Sequence, residues 1–137
     1  MPEDSTAPPR HALTGLTRPL CVVDTEWTGP SPTDARLVCL AVHKLLPGDA
    51  IDEREWFVNP GTPIDPGSKA VHGITDERAA TWPPFREVAA EVAAFLDDAD
   101  IGGYSVSSDV QILERELEAA SCKLRSTDLR IVDPLRL

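Results

Sequence analysis

The 137-residue sequence predicts an α/β protein built on one mixed sheet, antiparallel where it begins and parallel where it ends. Two tight links join the first three apolar segments and leave no room for a helix, which indicates an antiparallel meander. Helical periodicity comes only afterwards and alternates with short apolar segments, which indicates parallel strands joined through helices. The predicted order of elements is β-β-β-α-β-α-β.

The three opening strands are predicted from apolar segments that end at an acid or at a turn signal. The first segment is wholly apolar up to an aspartate, so we interpret it as a buried, central strand that ends at the acid. Pro-Gly-Asp and Asn-Pro-Gly sequences mark the turns after the second and third strands. The three strands are predicted at residues 19–24, 36–44 and 53–59.

The later elements alternate between helix and strand. In the two longer helices, apolar residues recur every three or four positions, as they do on a helix that buries one face. Ser108 and Gln111 form a capping box, which predicts that the second of these helices begins there and runs to about residue 120. The short helix, first long helix, fourth strand and fifth strand are predicted at residues 67–71, 84–97, 101–104 and 129–132.

Residues 1–17 are predicted to be a disordered tail, and residues 18–137 a single domain. The tail begins with acids and prolines and lacks the basic and then apolar layout of a signal peptide. No apolar run reaches the ~18 residues that a membrane-spanning helix requires. We therefore expect a cytoplasmic protein with no membrane partner.

Charge and cysteine content argue against a passive nucleic-acid binder and against a zinc site. The net charge of −10 argues against a passive nucleic-acid binder, since phosphate backbones attract basic surfaces. It argues less against an enzyme in which divalent cations lie between carboxylates and phosphates. Cys21, Cys39 and Cys122 form no C-x-x-C pair, so a zinc site is not expected, and the first two are predicted to be small buried residues.

Asp24 and Glu26 are the residues that most strongly indicate chemistry. Their spacing of two puts both side chains on the same face of a strand, where two like charges repel and lose water. A divalent cation with oxygen ligands would neutralise them. The alternative is a pair of surface acids on an edge strand. The wholly apolar segment before them favours the first interpretation.

Several motifs in the correct order carry a resemblance to a known family. Val-Val-Asp-Thr-Glu-Trp-Thr-Gly at 22–29 resembles the first motif of the DEDD, or DnaQ-like, 3′–5′ exonucleases. These include the proofreading epsilon subunit of bacterial replicative polymerases and oligoribonuclease. Asn-Pro-Gly at 59–61, His-Gly-Ile-Thr at 72–75 and Asp109 match later positions of the family pattern. The resemblance covers residues 19–137 and implies a ribonuclease-H-like fold.

The resemblance implies hydrolysis of phosphodiester bonds at 3′ ends of single-stranded DNA or RNA by a two-metal mechanism with Mg²⁺ or Mn²⁺. The implied catalytic and metal-binding residues are Asp24, Glu26 and Asp109, with Asp24 bridging both ions. The implied seat of the terminal nucleotide is Trp27, Thr28 and Gly29. A polymerase or another protein is the kind of partner that the family suggests.

The sequence departs from the family pattern in three places. Ser105 and Ser108 replace an asparagine and a phenylalanine of the second motif, and Trp27 stands where the family has a small or β-branched residue. The sequence ends at Leu137, before the family's third motif with its general-base histidine and fourth acid. We therefore expect the C-terminal part of the fold to be missing, the second ion to be weak and the chain to be inactive or impaired.

These departures leave two further hypotheses open. The first is a catalytically inactive homologue that binds nucleic-acid ends or a protein partner. The second is an unrelated acidic interaction module in which the Asp24 and Glu26 pair is coincidental; an Asp109 remote from Asp24 would favour it.

Three other sets of polar residues have weaker functional interpretations. His72 is either a substitute base or a residue hydrogen-bonded within its loop, and we favour the second. Asp133 is either a substitute fourth acid or a cap for the turn at Pro134, and again we favour the second. The acids at 97, 98 and 100 are predicted to form a solvated turn.

Overall fold

The structure, a computed structural model, describes residues 16–103, 106–123 and 131–132, the last pair as backbone only. Most of the predicted tail, Asp133 and residues 104–105 lie outside this part of the chain. The described residues form a five-stranded sheet with the strand order β3-β2-β1-β4-β5. The strands are β1 (Leu20–Trp27), β2 (Leu37–Leu45), β3 (Ile51–Phe57), β4 (Asp100–Gly102) and β5 (Ile131–Val132).

The sheet is mixed, as predicted. β1 lies at its centre, antiparallel to β2 and parallel to β4, while β3 is antiparallel to β2 and β5 is parallel to β4. The prediction that β1 ends at Asp24 is wrong, since the strand continues to Trp27. It continues because β2 supplies pairing partners as far as Leu37, with a register shift between Glu26 and Trp27.

The helices differ from the predictions in three respects. The segment predicted as one helix over 84–97 begins as a 3₁₀ turn and becomes an α-helix only after Val88, whose φ of −112° and ψ of −1° interrupt the helix. The capping box at Ser108 is wrong, because the last helix already begins at Val106, a core residue. A four-residue helix that was not predicted is capped by the hydroxyl of Thr75. The α-helices are α1 (Pro66–His72), α2 (Asp76–Ala79), α3 (Ala89–Leu96) and α4 (Val106–Ala119).

The hydrophobic core lies on both sides of the sheet. On one side, α3 and α4 pack against β1 and β2, and the cluster includes Cys21, Val23 and Leu113. On the other, a smaller cluster gathers Cys39 with residues of the segment between β3 and α2. Cys21 and Cys39 are buried, as predicted. Within the described residues, no helix is long and apolar enough to cross a membrane.

Gly103 allows α4 to begin close to β1. A Cβ atom at this position would lie 2.6 Å from the carbonyl oxygen of Val23, a distance that only glycine permits. Gly103 can therefore lie against the backbone of β1 and next to Val106, the first residue of α4, whose first turn carries Asp109.

The acids between α3 and β4 are not all solvated, contrary to the prediction. Asp98 is exposed and has a φ of 59°, which fits a turn. Asp100 instead begins β4, is 2% exposed, and lies 3.8 Å from the guanidinium of Arg18. The parallel pairing of Asp100 with Leu20 of β1 draws this acid into the sheet.

Candidate active site

Asp24 and Glu26 project from the same face of the central strand. Asp24 pairs across the sheet with Ala41 and Glu26 with Cys39, so the predicted period of two holds up to the register shift. This face is opposite to the one covered by α3 and α4, because Val23 packs in the core with those helices. Asp24 is exposed and Glu26 is half-buried.

Asp109 reaches the end of β1 from the other side of the sheet. It lies in the first turn of α4, is 2% exposed, and accepts a hydrogen bond from the hydroxyl of Thr25. The approach is open because β4 pairs with β1 only as far as Val22. Asp109, Asp24 and Glu26 consequently line one pocket of about 350 Å³.

Burial and neighbouring charge alter the ionisation of Asp109 and Glu26. Burial raises the pKa of Asp109 to about 6; the bond from Thr25 opposes this change, and the charges of Asp24 and Glu26 add to it. Burial also raises the pKa of Glu26, the charge of Asp24 raises it further, and His72 acts in the opposite direction. Negative charge is therefore crowded at the end of β1, which a cation would relieve.

The pocket offers the type of donor that hard divalent cations prefer. Carboxylate oxygens bind Mg²⁺ and Mn²⁺ in proteins, and three carboxylates line the same space. Among the described residues, however, no three His, Cys, Asp or Glu side chains already stand close enough together to hold one ion. The carboxylate donors nevertheless fit such a cation in chemistry.

Of the three residues predicted to seat a nucleotide, two line the pocket and one does not. Trp27 and Gly29 line the pocket. A Cβ atom on Gly29 would meet nothing within 4 Å, so the space beside it is open. Thr28 is buried and braces the chain, since its hydroxyl accepts a bond of 2.9 Å from the backbone nitrogen of Arg36. The structure thus brings Trp27 and Gly29, but not the Thr28 hydroxyl, to the pocket.

His72 has both ring nitrogens engaged. Its Nδ1 accepts from the backbone nitrogen of Ile74 at 3.0 Å, so the proton is assigned to Nε2, which donates to the Trp27 carbonyl at 3.1 Å. The left-handed Gly73, with φ of 73°, makes the turn that brings Ile74 back to this ring. These bonds support the interpretation of His72 as a residue fixed within its loop.

Hydrogen bonds at both termini of α1 hold this helix against the end of β1. His72 binds the carbonyl of Trp27, and the backbone nitrogen of Asp65, the N-cap, donates to the carbonyl of Thr28 at 2.7 Å. This docking makes α1 one wall of the pocket. Val71 of this helix, an apolar residue at the pocket wall, is 83% exposed.

Sequence reasoning did not single out Val71, Asp65 or Thr25 as parts of the site. Val71 could have been found from its position directly before the His-Gly-Ile-Thr motif. Thr25 could have been found from its position between the two acids. The hydroxyl of Thr25 accepts a hydrogen bond from the indole nitrogen of Trp27 and donates one to Asp109.

A second carboxylate of α4 holds the start of β2. Glu116 is 4% exposed and receives both arms of the Arg36 guanidinium, at 2.8 and 3.1 Å, together with the backbone nitrogen of Leu37 at 3.0 Å. The pKa of Arg36 is raised, first by its hydrogen bond to Glu116. Because Asp109 and Glu116 belong to one helix, this contact fixes Asp109 relative to β1 and β2.

Glu116→Ala is expected to lower the free energy of unfolding by about 2–3 kcal/mol, since it leaves the buried nitrogen of Leu37 without an acceptor. Arg36 adds little to the loss because its side chain is 42% exposed and regains water. Urea unfolding measures the change. Glu114→Ala, an exposed acid on the same helix, is the matched control. Equal stability of the two variants would contradict this role of Glu116.

The fold resembles that of solved exonuclease I structures. A complex of exonuclease I with the inhibitor BCBP matches with a TM-score of 0.75 at 17% identity, over 88% of this chain and 29% of that one. E. coli exonuclease I in complex with a dT13 oligonucleotide matches with a TM-score of 0.74 at 18% identity, over 87% and 28% of the two chains. The predicted ribonuclease-H-like sheet is confirmed.

Sequence relatives lead to the same family. The DNA polymerase III subunit epsilon of Haemophilus influenzae is 27% identical over 81% of this chain and 46% of its own length. A DNA polymerase III subunit epsilon-like protein of Rhodobacter capsulatus is 35% identical over 69% of this chain and 14% of its own. The chain thus spans less than half the length of either relative. An exonuclease model, RNase T, matches residues 21–133, and the chain belongs to this exonuclease family.

Proposed function

We propose that the chain is a 3′–5′ exonuclease domain that hydrolyses phosphodiester bonds at the 3′ ends of single-stranded DNA or RNA. One observation carries the proposal: the carboxylates of Asp24, Glu26 and Asp109 line a single pocket beside Trp27. Membership of the exonuclease family supports it. Because the chain has a net charge of −10, divalent cations would have to lie between its carboxylates and the phosphate of the substrate.

Asp24, Glu26 and Asp109 would hold Mg²⁺ or Mn²⁺, with two ions expected and the second one weak. Bound divalent ions in such enzymes activate a water and stabilise charge on the phosphate and the leaving oxygen. Asp24 is the proposed shared ligand, since it is the most exposed of the three acids that line the pocket. Asp109 would hold its ion from the side of α4, and Glu26 from the opposite face of β1.

The seat of the terminal nucleotide is the space between Trp27, Gly29 and Val71. The indole nitrogen of Trp27 is already bonded to Thr25, so the ring offers the ligand an apolar surface and no hydrogen bond. Val71 adds an exposed apolar contact, and Gly29 leaves room for a sugar and base. Such contacts accept any base, as a nuclease that is indifferent to sequence requires. The oligonucleotide complex of exonuclease I supports this substrate class.

A polymerase or another protein is the proposed macromolecular partner. The support is that relatives of this chain are named as subunits or forms of DNA polymerase III, among them a PolC-type protein of Streptococcus suis, 30% identical over 77% of this chain and 7% of its own length.

Binding of 3′ ends without cleavage is the second candidate function. It is favoured by the hydrogen bonds of His72, whose ring has no nitrogen free to accept a proton from water. Release of nucleotides in the assay below separates the two candidates.

The test is single-turnover degradation of a 5′-labelled single-stranded oligonucleotide in Mn²⁺, with DNA and RNA versions in parallel and EDTA as the control. We expect a ladder of products shortened progressively from the 3′ end, and none in EDTA. Binding with no shortening would favour the second candidate. Label released at once as a mononucleotide would show attack from the 5′ end and contradict the proposed polarity.

A further inference from the structure

A directed chain of hydrogen bonds joins the candidate nucleotide site to a candidate metal ligand. It runs from the indole of Trp27 through the hydroxyl of Thr25 to Oδ1 of Asp109. An indole nitrogen can only donate, so the threonine oxygen must be its acceptor. The single hydroxyl proton is then left for the carboxylate. The direction of both bonds is therefore fixed by the chemistry of the three groups.

The surroundings shield this chain of hydrogen bonds from solvent. Thr25 is 8% exposed and Asp109 is 2% exposed, so water does not compete freely for either group. Both side chains lie on regular elements, one in the central strand and one in the first turn of α4. The contact joins positions 84 residues apart in the sequence.

We propose that Thr25 is a positioning residue that couples cation binding at the three acids to nucleotide binding at Trp27. The proposal rests on the proposed function, because it assumes that these two ligands share the pocket. A carboxylate has two oxygens, so Asp109 can keep its bond to Thr25 through Oδ1 while it offers Oδ2 to a cation. A cation held at Oδ2 would restrain the carboxylate that accepts from Thr25, and Thr25 in turn holds the indole of Trp27, so each ligand orders a group on which the other depends.

Coupling of this kind is reciprocal. If Mg²⁺ tightens the binding of a nucleoside by some factor, the nucleoside must tighten the binding of Mg²⁺ by the same factor. The probe is thymidine, which has a base for Trp27 but no phosphate to contact the cation itself. Coupling between Mg²⁺ and thymidine would consequently pass through the protein.

The sequence offers a spectroscopic readout of this chain. Of its three tryptophans, Trp56 donates to Glu91 and packs in the core, while Trp82 packs against Phe57. Neither lines the pocket with Trp27. Replacing both with phenylalanine leaves Trp27 as the only indole, and its fluorescence then reports on the Thr25 bond.

The experiment titrates this single-tryptophan chain with Mg²⁺ and with thymidine, each in the absence and presence of the other. We expect each ligand to tighten the other by about fivefold, a typical coupling factor. Thr25→Val should weaken Mg²⁺ binding by about tenfold, as loss of a residue that orients a metal ligand does, and should abolish the coupling. Thr25→Ser keeps the hydroxyl and should restore both. Thr62→Val, an exposed threonine away from the pocket, should change neither.

The outcomes separate this inference from the proposed function. Binding of both ligands without coupling, or coupling that survives in Thr25→Val, would overturn the role of Thr25 and leave the proposed function intact. No binding of Mg²⁺ at all would overturn both. Circular dichroism checks each fold, and Thr25→Ala takes the place of Thr25→Val if the valine variant does not fold. A coupling lost in that variant and restored by serine supports the proposal.

Discussion

Asp24→Asn is expected to slow the cleavage of a 3′-ended oligonucleotide in Mn²⁺ by at least about 10²-fold, because it removes the charge that holds the cation against the phosphate. The substitution keeps the size of the side chain. Asp24 is exposed, and the strand around it is held by backbone pairing with Ala41, so the fold should be unaffected. A rate change then reports on chemistry and not on stability. The single-turnover assay described above measures it.

Asp34→Asn is the matched control for this prediction. Asp34 is an exposed acid in the loop between β1 and β2, outside the candidate pocket, and it carries the same charge. We expect this variant to cleave at the wild-type rate. Cleavage by Asp24→Asn at the full rate would mean that the reaction, whatever its source, does not use the carboxylates at the end of β1.

The stability of the cation-free protein is expected to depend on the ionisation of Asp109. The pKa of this carboxyl rises to about 6 in the fold, chiefly through burial, from an ordinary value of 3.8. A raised pKa means that the folded state holds the proton more tightly than the unfolded state. The resulting stabilisation is complete below about pH 4 and is lost as the pH rises through about 6. The loss is on the order of 3 kcal/mol.

Asp109→Asn should remove this dependence, because the amide cannot ionise and its oxygen can still accept from Thr25. In EDTA, the stability of the variant relative to wild type should increase by on the order of 3 kcal/mol between about pH 4 and about pH 7, as urea unfolding measures it. At neutral pH, Mg²⁺ should raise the melting temperature of wild type and not that of the variant. A Mg²⁺-induced rise that persists in Asp109→Asn would place the cation elsewhere.

Asp76 provides a control of the opposite sign. Its pKa is lowered, first by the hydrogen bond from Lys69 and then by the backbone nitrogen of Ile64. The stabilisation from this acid is present at neutral pH and is lost as the pH falls through its depressed pKa. Asp76→Asn should therefore change stability at neutral pH and have little effect in strong acid. The same trend in Asp76→Asn and Asp109→Asn would contradict the burial of Asp109.

Most of the sheet could be predicted because the sequence features that indicate its strands and turns are local. The apolar segment before Asp24 indicated a central strand, and the two tight links indicated the antiparallel start. Element ends were less predictable, since tertiary pairing decides them. β1 passes Asp24 because β2 runs alongside it, and α4 begins before Ser108 because Val106 is buried against the core.

The parts of the candidate site that could be predicted are those marked by a local sequence motif. The spacing of Asp24 and Glu26 determines their shared face, and the family pattern pointed to Asp109 and to a fixed His72. The bond between Thr25 and Asp109 was not predictable, since it joins residues 84 positions apart and depends on how α4 meets β1. A pattern of residue types does not encode such contacts.

Diffraction from crystals of the protein grown with Mn²⁺, recorded for the anomalous signal of the ion, would locate the cation. We expect an ion bound by Asp24 together with Glu26 or Asp109, with oxygen ligands at ~2.0–2.6 Å. Glu53 and Glu55 provide an internal comparison, because they are also two residues apart on one strand face, but both are exposed on β3 away from the pocket. Mn²⁺ at that pair, with none at Asp24, would contradict the proposed metal site at the end of β1.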